Sequence, residues 1–258
     1  MFYHYKKTPI FYTMIGTGKP LVLLHGLMES STMWGDTIIH LKDRHQLVVI
    51  DLPGFGQSGN IDEIHTMELM ASIVSEILKA ENISAASFIG HSMGGYVALA
   101  FAENFPEMID GLILLHSTTT ADTEERKVNR NRAAQILYRN KDAYVSNAMS
   151  NLFTEKARKQ FPAEIAKAKE EALTFSAQGI AAAHLGMRDR KDRTSVLENF
   201  SKEKRIIAGV DDLILPLSEV QHISEITNTP LIIIDSGHMS WVENKIEMLM
   251  FTYFNDYI

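Results

Sequence analysis

The sequence predicts an α/β protein in which a mostly parallel, eight-stranded sheet is flanked by helices and interrupted by an all-helical insert. Three observations predict it. Short apolar runs alternate with longer segments of helical period as far as residue 117, nothing from about 122 to 194 reads as a strand, and the strand rhythm then returns with KRIIAGVDD and PLIIIDSGH.

Taken in order, FYHY (2–5) and IFYTMI (10–15) read as an opening hairpin, followed by PLVLLHG, QLVVIDLPG, ASFIG and GLILLHS as short buried strands. Between them, TMELMASIVSEILKA (66–80) carries Met67, Met70, Val74, Ile77 and Leu78 on one helical face. In the insert, TEERKVNRNRAAQILYRN (123–140) and PAEIAKAKEEALTFSAQ (162–178) read as helices with charged faces. The chain closes on SWVENKIEMLMFTYFNDYI (240–258), expected as one amphipathic helix. The boundaries that follow are a first core segment at 1–118, a helical cap at 119–197 and a second core segment at 198–258.

With 258 residues and 45% apolar content, the chain can fill a sizeable core. No apolar run approaches the ~18 residues of a spanning helix, and MFYHYKKTPIF lacks the order of a signal peptide, so a soluble cytoplasmic protein without a membrane partner is expected. The sequence assigns no oligomeric state. Zero cysteines remove disulfides, thiolate nucleophiles and cysteine metal sites together, leaving oxygen or nitrogen as nucleophile. A net charge of −7 argues against nucleic acid as partner, since phosphate binding draws on Lys and Arg. The charge is uneven: residues 121–197 hold 15 Lys and Arg against 10 Asp and Glu, leaving 10 against 22 elsewhere. Two readings fit, the solvated faces of amphipathic helices or a mildly basic lid over an anionic substrate.

The chemistry concentrates in FIGHSMGGYVALAFAENFPE (88–107), where a buried strand passes through Ser92 into a helix. So tight a turn needs residues without a Cβ, supplied here by Gly90, Gly94 and Gly95. It thrusts the Ser92 hydroxyl outward and sets the Met93 N–H at a helix N-terminus, where it can hold an oxyanion. A serine hydroxyl is a weak nucleophile without a general base, and the imidazole that serves needs an acid to fix its tautomer. Downstream, each after a strand, VDD offers Asp211 or Asp212 and the loop DSGH offers His238. Adjacent residues leaving a strand point to opposite sides, so one aspartate can reach the imidazole. A second oxyanion donor is expected at Leu27, after Gly26 in PLVLLHGLMESSTMW, and His25 reads as a brace for that loop. Met33, Trp34, Tyr96, Tyr138, Phe153 and Trp241 are candidate pocket walls or core residues. The strings GTG and GFG are too short for a dinucleotide fingerprint and read as turns, so no nucleotide cofactor is expected.

Through GTGKPLVLLHG, VVIDLPGFGQS, GHSMGGYVALAFAENFPE, IIAGVDD and GHMSWVE, the chain resembles the α/β-hydrolase superfamily, in its small esterase-like branch with a helical cap. The resemblance implies Ser92 as nucleophile, His238 as base, Leu27 and Met93 as oxyanion donors, and Asp51 and Gly54 as architectural. It places the acid three residues after Gly209, at Asp212, with Pro216 a little further on. It further implies serine-based cleavage of a small ester or related acyl compound, with no metal, nucleotide or flavin. Serine at the elbow argues against the dehalogenase and epoxide hydrolase branches, which use aspartate there. The same parts serve lactonases, cofactor-free haloperoxidases, carbon–carbon hydrolases and some lyases, and a retired hydrolase can serve as a ligand receptor, so these alternatives stay open.

Overall fold

The computed structural model describes residues 1–253 of the 258. Eight strands form one sheet: β1 (Phe2–Tyr5), β2 (Thr8–Ile15), β3 (Lys19–Leu24), β4 (His45–Ile50), β5 (Ala86–His91), β6 (Ile109–Leu115), β7 (Glu203–Gly209) and β8 (Leu231–Ile234). Their order is β1-β2-β4-β3-β5-β6-β7-β8, with the β1–β2 and β2–β4 pairs antiparallel and every later pair parallel. The central strands read as unbroken apolar runs because both faces are covered. Val22, Leu24, Val48, Phe88 and Leu112 pack on one side, while Leu21, Leu23, Leu47, Ile89 and Ile113 pack on the other.

Helix α1 (Gly35–Leu41) follows β3, α2 (Met67–Ala80) follows β4, and α3 (Met93–Asn104) follows β5. The α2 stripe of Met67, Met70, Val74, Ile77 and Leu78 is buried, and Thr66 caps the helix by accepting the Leu69 N–H. Five helices then intervene before β7: α4 (Glu124–Asn151), α5 (Glu155–Gln160), α6 (Pro162–Thr174), α7 (Ala177–Arg188) and α8 (Thr194–Glu198), with no strand among the described residues there. Thr123, Thr154 and Ser176 cap α4, α5 and α7, and α4 bends at Asn140, whose φ of −156° and ψ of 75° leave the helical region. α9 (Leu217–Ile226) separates β7 from β8.

The expected closing helix is instead two: α10 (Ser240–Glu243) and α11 (Lys245–Phe251). Asn244 breaks it, adopting φ −153° and ψ 64° and capping α11 through the Glu247 N–H. The remainder of that expectation, 254–258, lies outside the described residues. No helix among the described residues is long and apolar enough to cross a membrane.

The helical block docks through close backbone approach. A Cβ on Gly179 of α7 would stand 2.6 Å from the Gly54 carbonyl oxygen, and one on Gly186 would stand 1.8 Å from that of His65. The buried Arg193 guanidinium adds ion pairs to Glu68 and Glu103 at 2.6 and 3.0 Å. Gly186→Ala is therefore expected to destabilise by ~1–3 kcal/mol, the usual cost of overpacking against backbone that cannot yield. Its urea midpoint should fall, and a midpoint equal to wild type would mean that α7 slides freely on the core.

Candidate active site

β5 ends at His91 and α3 starts at Met93, so Ser92 alone makes the turn, at φ 49° and ψ −113°. That left-handed conformation is strained for a residue with a side chain and persists only where its surroundings enforce it. The elbow is held from outside: the Ser92 N–H donates to the Leu115 carbonyl at 2.9 Å, and the Ser117 hydroxyl donates to the Ser92 carbonyl at 2.8 Å. The glycines answer to crowding. A Cβ on Gly90 would lie 2.5 Å from the Gly94 carbonyl, one on Gly94 2.2 Å from the Leu24 carbonyl oxygen, and one on Gly95 2.2 Å from the Ser117 hydroxyl.

Ser92 Oγ lies 3.0 Å from His238 Nε2, and His238 Nδ1 lies 2.8 Å from Asp212 Oδ2. The tautomer that satisfies both contacts has Nδ1–H donating to the carboxylate and Nε2 accepting the serine hydroxyl. Asp212 Oδ1 accepts the backbone N–H groups of Ile214 and Leu215 at 2.8 and 2.9 Å, which fixes the carboxylate plane. Burial alone would raise the Asp212 carboxyl, but the two histidines bonded to it, His238 and His116, hold it well below the usual carboxylate range. Asp211 points away, exposed, its N–H donating to the Ser236 carbonyl.

Two further histidines flank this chain. His116 Nδ1 donates to the same Asp212 oxygen at 3.2 Å while its Nε2 accepts from the Ser240 hydroxyl at 2.8 Å. Burial chiefly holds it neutral, lowered to about 4. His91 differs: its Nδ1 donates to Glu29 Oε2 at 2.8 Å and its Nε2 donates to the His238 carbonyl at 3.0 Å. Burial opposes its charge, yet the Glu29 carboxylate outweighs that and raises His91, just as His91 lowers Glu29 against the effect of burial. Glu29 is also bonded by the Gly26 N–H at 2.6 Å and by Trp241 Nε1 at 3.1 Å. This buried ion pair ties the loop after β3 to the loop that carries His238. With the Gly26 N–H committed to Glu29, the next amide, Leu27, is left beside Ser92 on the cavity wall. The Met93 N–H opens α3, where no preceding turn supplies an acceptor.

His25 is engaged on both ring nitrogens, Nδ1 donating to the Gly26 carbonyl at 2.8 Å and Nε2 accepting the Leu52 N–H at 2.9 Å. Asp51 accepts the Ser31 and Gln57 N–H groups at 2.7 and 2.9 Å. His116, Asp212 and His238 place ligand-type atoms within 4.8 Å of one another, a closeness their mutual hydrogen bonds account for.

A cavity of about 260 Å³ opens over Ser92 between the core and the helical block. Of the six candidate walls, Tyr96 lines it and the other five need correction. Met33 and Trp241 face a separate groove of about 410 Å³, and Trp34 is fully buried on the α1 side of the sheet. Phe153, between α4 and α5, is fully buried in the core, and Tyr138 is 65% exposed, because the α4 period turns its neighbour Leu137 inward. In their place the block contributes Arg130, Tyr144, Leu152, His184 and Met187. Many of the insert's cations lie in surface pairs, such as Lys127–Glu124, Lys159–Glu155 and Arg188–Asp189, whereas Arg130 reaches the cavity. Sequence reading missed Glu29, His91, His116, Arg130, Tyr144 and His184. Only Glu29 and His91 carried a local signal, in their closeness to Gly26 and Ser92.

Buried neutral histidines make stability pH-dependent. Burial lowers His25, takes His65 and His116 to about 4 and takes His184 to about 3. Each binds a proton in the unfolded chain near ~6.5 but resists it when folded, so stability falls as pH drops from about 6.5 toward 4. His91 opposes this, its contribution being full below ~6.5 and lost as pH rises through its raised folded value. Four groups outweigh one, so Tm should fall steadily on acidification from pH 7. A calorimetric Tm that stays level down to pH 5 would overturn this account.

A family model described as the alpha/beta hydrolase fold matches residues 19–245. An esterase from Thermogutta terrifontis, solved with malate bound, is 31% identical and has a TM-score of 0.89, covering 94% of this chain and 91% of its own. A putative carbamate hydrolase, RutD, of Pseudomonas savastanoi pv. phaseolicola is 26% identical over 232 residues, 85% of this chain and 86% of that protein. An uncharacterized Mycobacterium tuberculosis protein is 33% identical over 104 residues, which are 40% of this chain and 30% of that one, so the match spans under a third of that relative's length. Joined to the strand order and the strained serine elbow, a family match running from β3 to the start of α11 means that this protein belongs to the α/β-hydrolase family.

Proposed function

We propose that the protein is a serine hydrolase that cleaves a small ester or related acyl compound through an acyl-enzyme. The observation that carries this is the unbroken run of contacts from Ser92 Oγ through His238 to Asp212, opening onto a cavity of about 260 Å³. Ser92 Oγ attacks the acyl carbon as His238 Nε2 takes its proton, and Asp212 stabilises the imidazolium through Nδ1–H. The carbonyl oxygen becomes an oxyanion held by the Leu27 and Met93 N–H groups, with the α3 N-terminus adding positive potential. Collapse breaks the bond to the alcohol, which leaves with the proton from His238. Water, deprotonated by His238, then attacks the acyl-serine and frees the acid. The small-molecule substrate is the only partner this chemistry requires, and no step calls on a metal or an organic cofactor.

The likeness to an esterase at 31% identity over 94% of the chain supports the reading. Short-chain p-nitrophenyl esters should be turned over, and a fluorophosphonate probe should add its mass to the peptide containing Ser92. An enzyme that neither turns over such esters nor accepts the probe at Ser92 would defeat it.

A further inference from the structure

We infer that the end of the Ser92 cavity formed by the helical block is a carboxylate subsite made by Arg130 and Tyr144, so that the preferred ester carries a free acid group. The inference rests on the proposed ester hydrolysis and names its substrate class.

Arg130 is held through two of its three nitrogens. Its Nε–H donates to Asp122 Oδ2 at 3.0 Å and its Nη1 to His184 Nδ1 at 3.4 Å, while Nη2 has no protein partner among the described residues. Asp122 does not cancel the local charge, because it also pairs with Arg190 Nη1 at 2.7 Å. Two guanidinium groups thus share one carboxylate. Arg190 is the structural member: buried, stacked 4.2 Å over the Tyr96 ring, and donating to the Thr120 and Met187 carbonyls. Arg130 is the one that meets the cavity.

His184 converts this arrangement into a directed donor. Since its Nδ1 accepts from Arg130, its neutral ring carries the proton on Nε2, which donates to the Tyr144 oxygen at 2.9 Å. Burial, reinforced by the Arg130 charge, keeps His184 neutral, lowered to about 3, and burial raises the Tyr144 phenol so that it remains a donor. The Tyr144 O–H hydrogen therefore has no protein acceptor among the described residues and is available to the cavity that Tyr144 lines.

The remaining lining leaves the charge uncompensated. Its one carboxylate, Glu29, is matched by His91 and bonded by Gly26 and Trp241. Leu27, Ala148, Leu152 and Met187 add apolar wall. A ligand that fits this order has an acyl ester near Ser92, a short apolar chain, and an anionic group opposite. Two donors on the same cavity wall, Arg130 Nη2 and the Tyr144 hydroxyl, match the two oxygens of a carboxylate, whereas a phosphate offers three.

The experiment measures wild-type kcat/KM for monoethyl esters of four- to six-carbon dicarboxylic acids against the corresponding diethyl esters. A preference for the half-ester of ~10- to 100-fold is expected, the worth of a hydrogen bond to a charged group. Arg130→Gln should collapse that ratio toward unity mainly through KM, Tyr144→Phe should reduce it, and Arg130→Lys should restore part of it. Equal kcat/KM for half-ester and diester, or a ratio unmoved in Arg130→Gln, would overturn the subsite while leaving ester hydrolysis intact. Wild-type turnover of neutral p-nitrophenyl acetate tests that hydrolysis separately. If it is absent, glutarate becomes the probe: a rise in wild-type Tm with glutarate that disappears in Arg130→Gln supports the subsite, and no rise overturns it.

Discussion

Ser92→Ala is expected to lower kcat for ester hydrolysis by on the order of a millionfold while the protein folds as before, the loss seen when a serine hydrolase is deprived of its nucleophile. The reasons are local. The hydroxyl makes one side-chain hydrogen bond, to His238 Nε2 at 3.0 Å, so its removal takes away the covalent step and little packing. The strained backbone at residue 92 is imposed by the contacts to Leu115 and Ser117 through main-chain atoms, which alanine retains. His238 keeps its bond to Asp212, and the Leu27 and Met93 amides proposed to hold the oxyanion keep their positions, so a residual rate above the uncatalysed reaction should survive. Steady-state kinetics with a short-chain ester, alongside a thermal melt, decide the matter. Retention of more than about a tenth of wild-type turnover is incompatible with a loss of that order and would remove Ser92 from the role of nucleophile.

Asp212→Asn is expected to lower kcat by on the order of ten-thousandfold, as amide replacement does in another serine hydrolase by leaving histidine in the wrong tautomer. Here the geometry sharpens the argument. Asp212 Oδ2 accepts from two imidazoles, His238 at 2.8 Å and His116 at 3.2 Å, while Oδ1 accepts two backbone N–H groups. An asparagine keeps its oxygen toward the backbone donors and presents its NH₂ to both rings. His116 can adapt, because Nε2–H can donate to the Ser240 hydroxyl. His238 cannot adapt without loss, because its proton then moves to Nε2 and faces the serine it should deprotonate. Asp211→Asn should cost little, its residue being exposed and outside the cavity lining. If Asp211→Asn proves the crippling change, the acid has been assigned one residue too late.

Much of this was legible in the sequence because it depends on neighbours along the chain. The strand–Ser–helix junction shows itself through Gly90, Gly94 and Gly95, since steric crowding in a tight turn selects residues without a Cβ regardless of what lies beyond it. The α2 stripe follows from the 3.6-residue period that helix geometry imposes, and the unbroken runs of β3, β5 and β6 from a sheet covered on both faces. The order of Ser92, an aspartate at 211 or 212 and His238 could likewise be read, each following a recognisable strand, while the choice of Asp212 came from the family resemblance. Short amphipathic segments escaped notice, α1 and α9 among them, because seven and ten residues leave little periodicity to detect.

What only the tertiary structure decided is which polar groups meet. Glu29 joins His91 across 62 residues and Trp241 across 212; His116 reaches Asp212 across 96; Arg130 and Tyr144 converge on His184 across 54 and 40. None of these separations has a local period, so nothing in the pattern of residues could pair them. The pocket walls failed for the same reason. Trp34 and Tyr96 are both large and aromatic, yet one faces the α1 side of the sheet and the other the cavity, because the face on which a side chain lands is set by how the whole sheet is layered. Sequence determined the fold class and where a nucleophile could stand, through local sterics and period; packing determined the charge around it and the shape of what it can reach, through contacts between segments that meet only when the chain has folded.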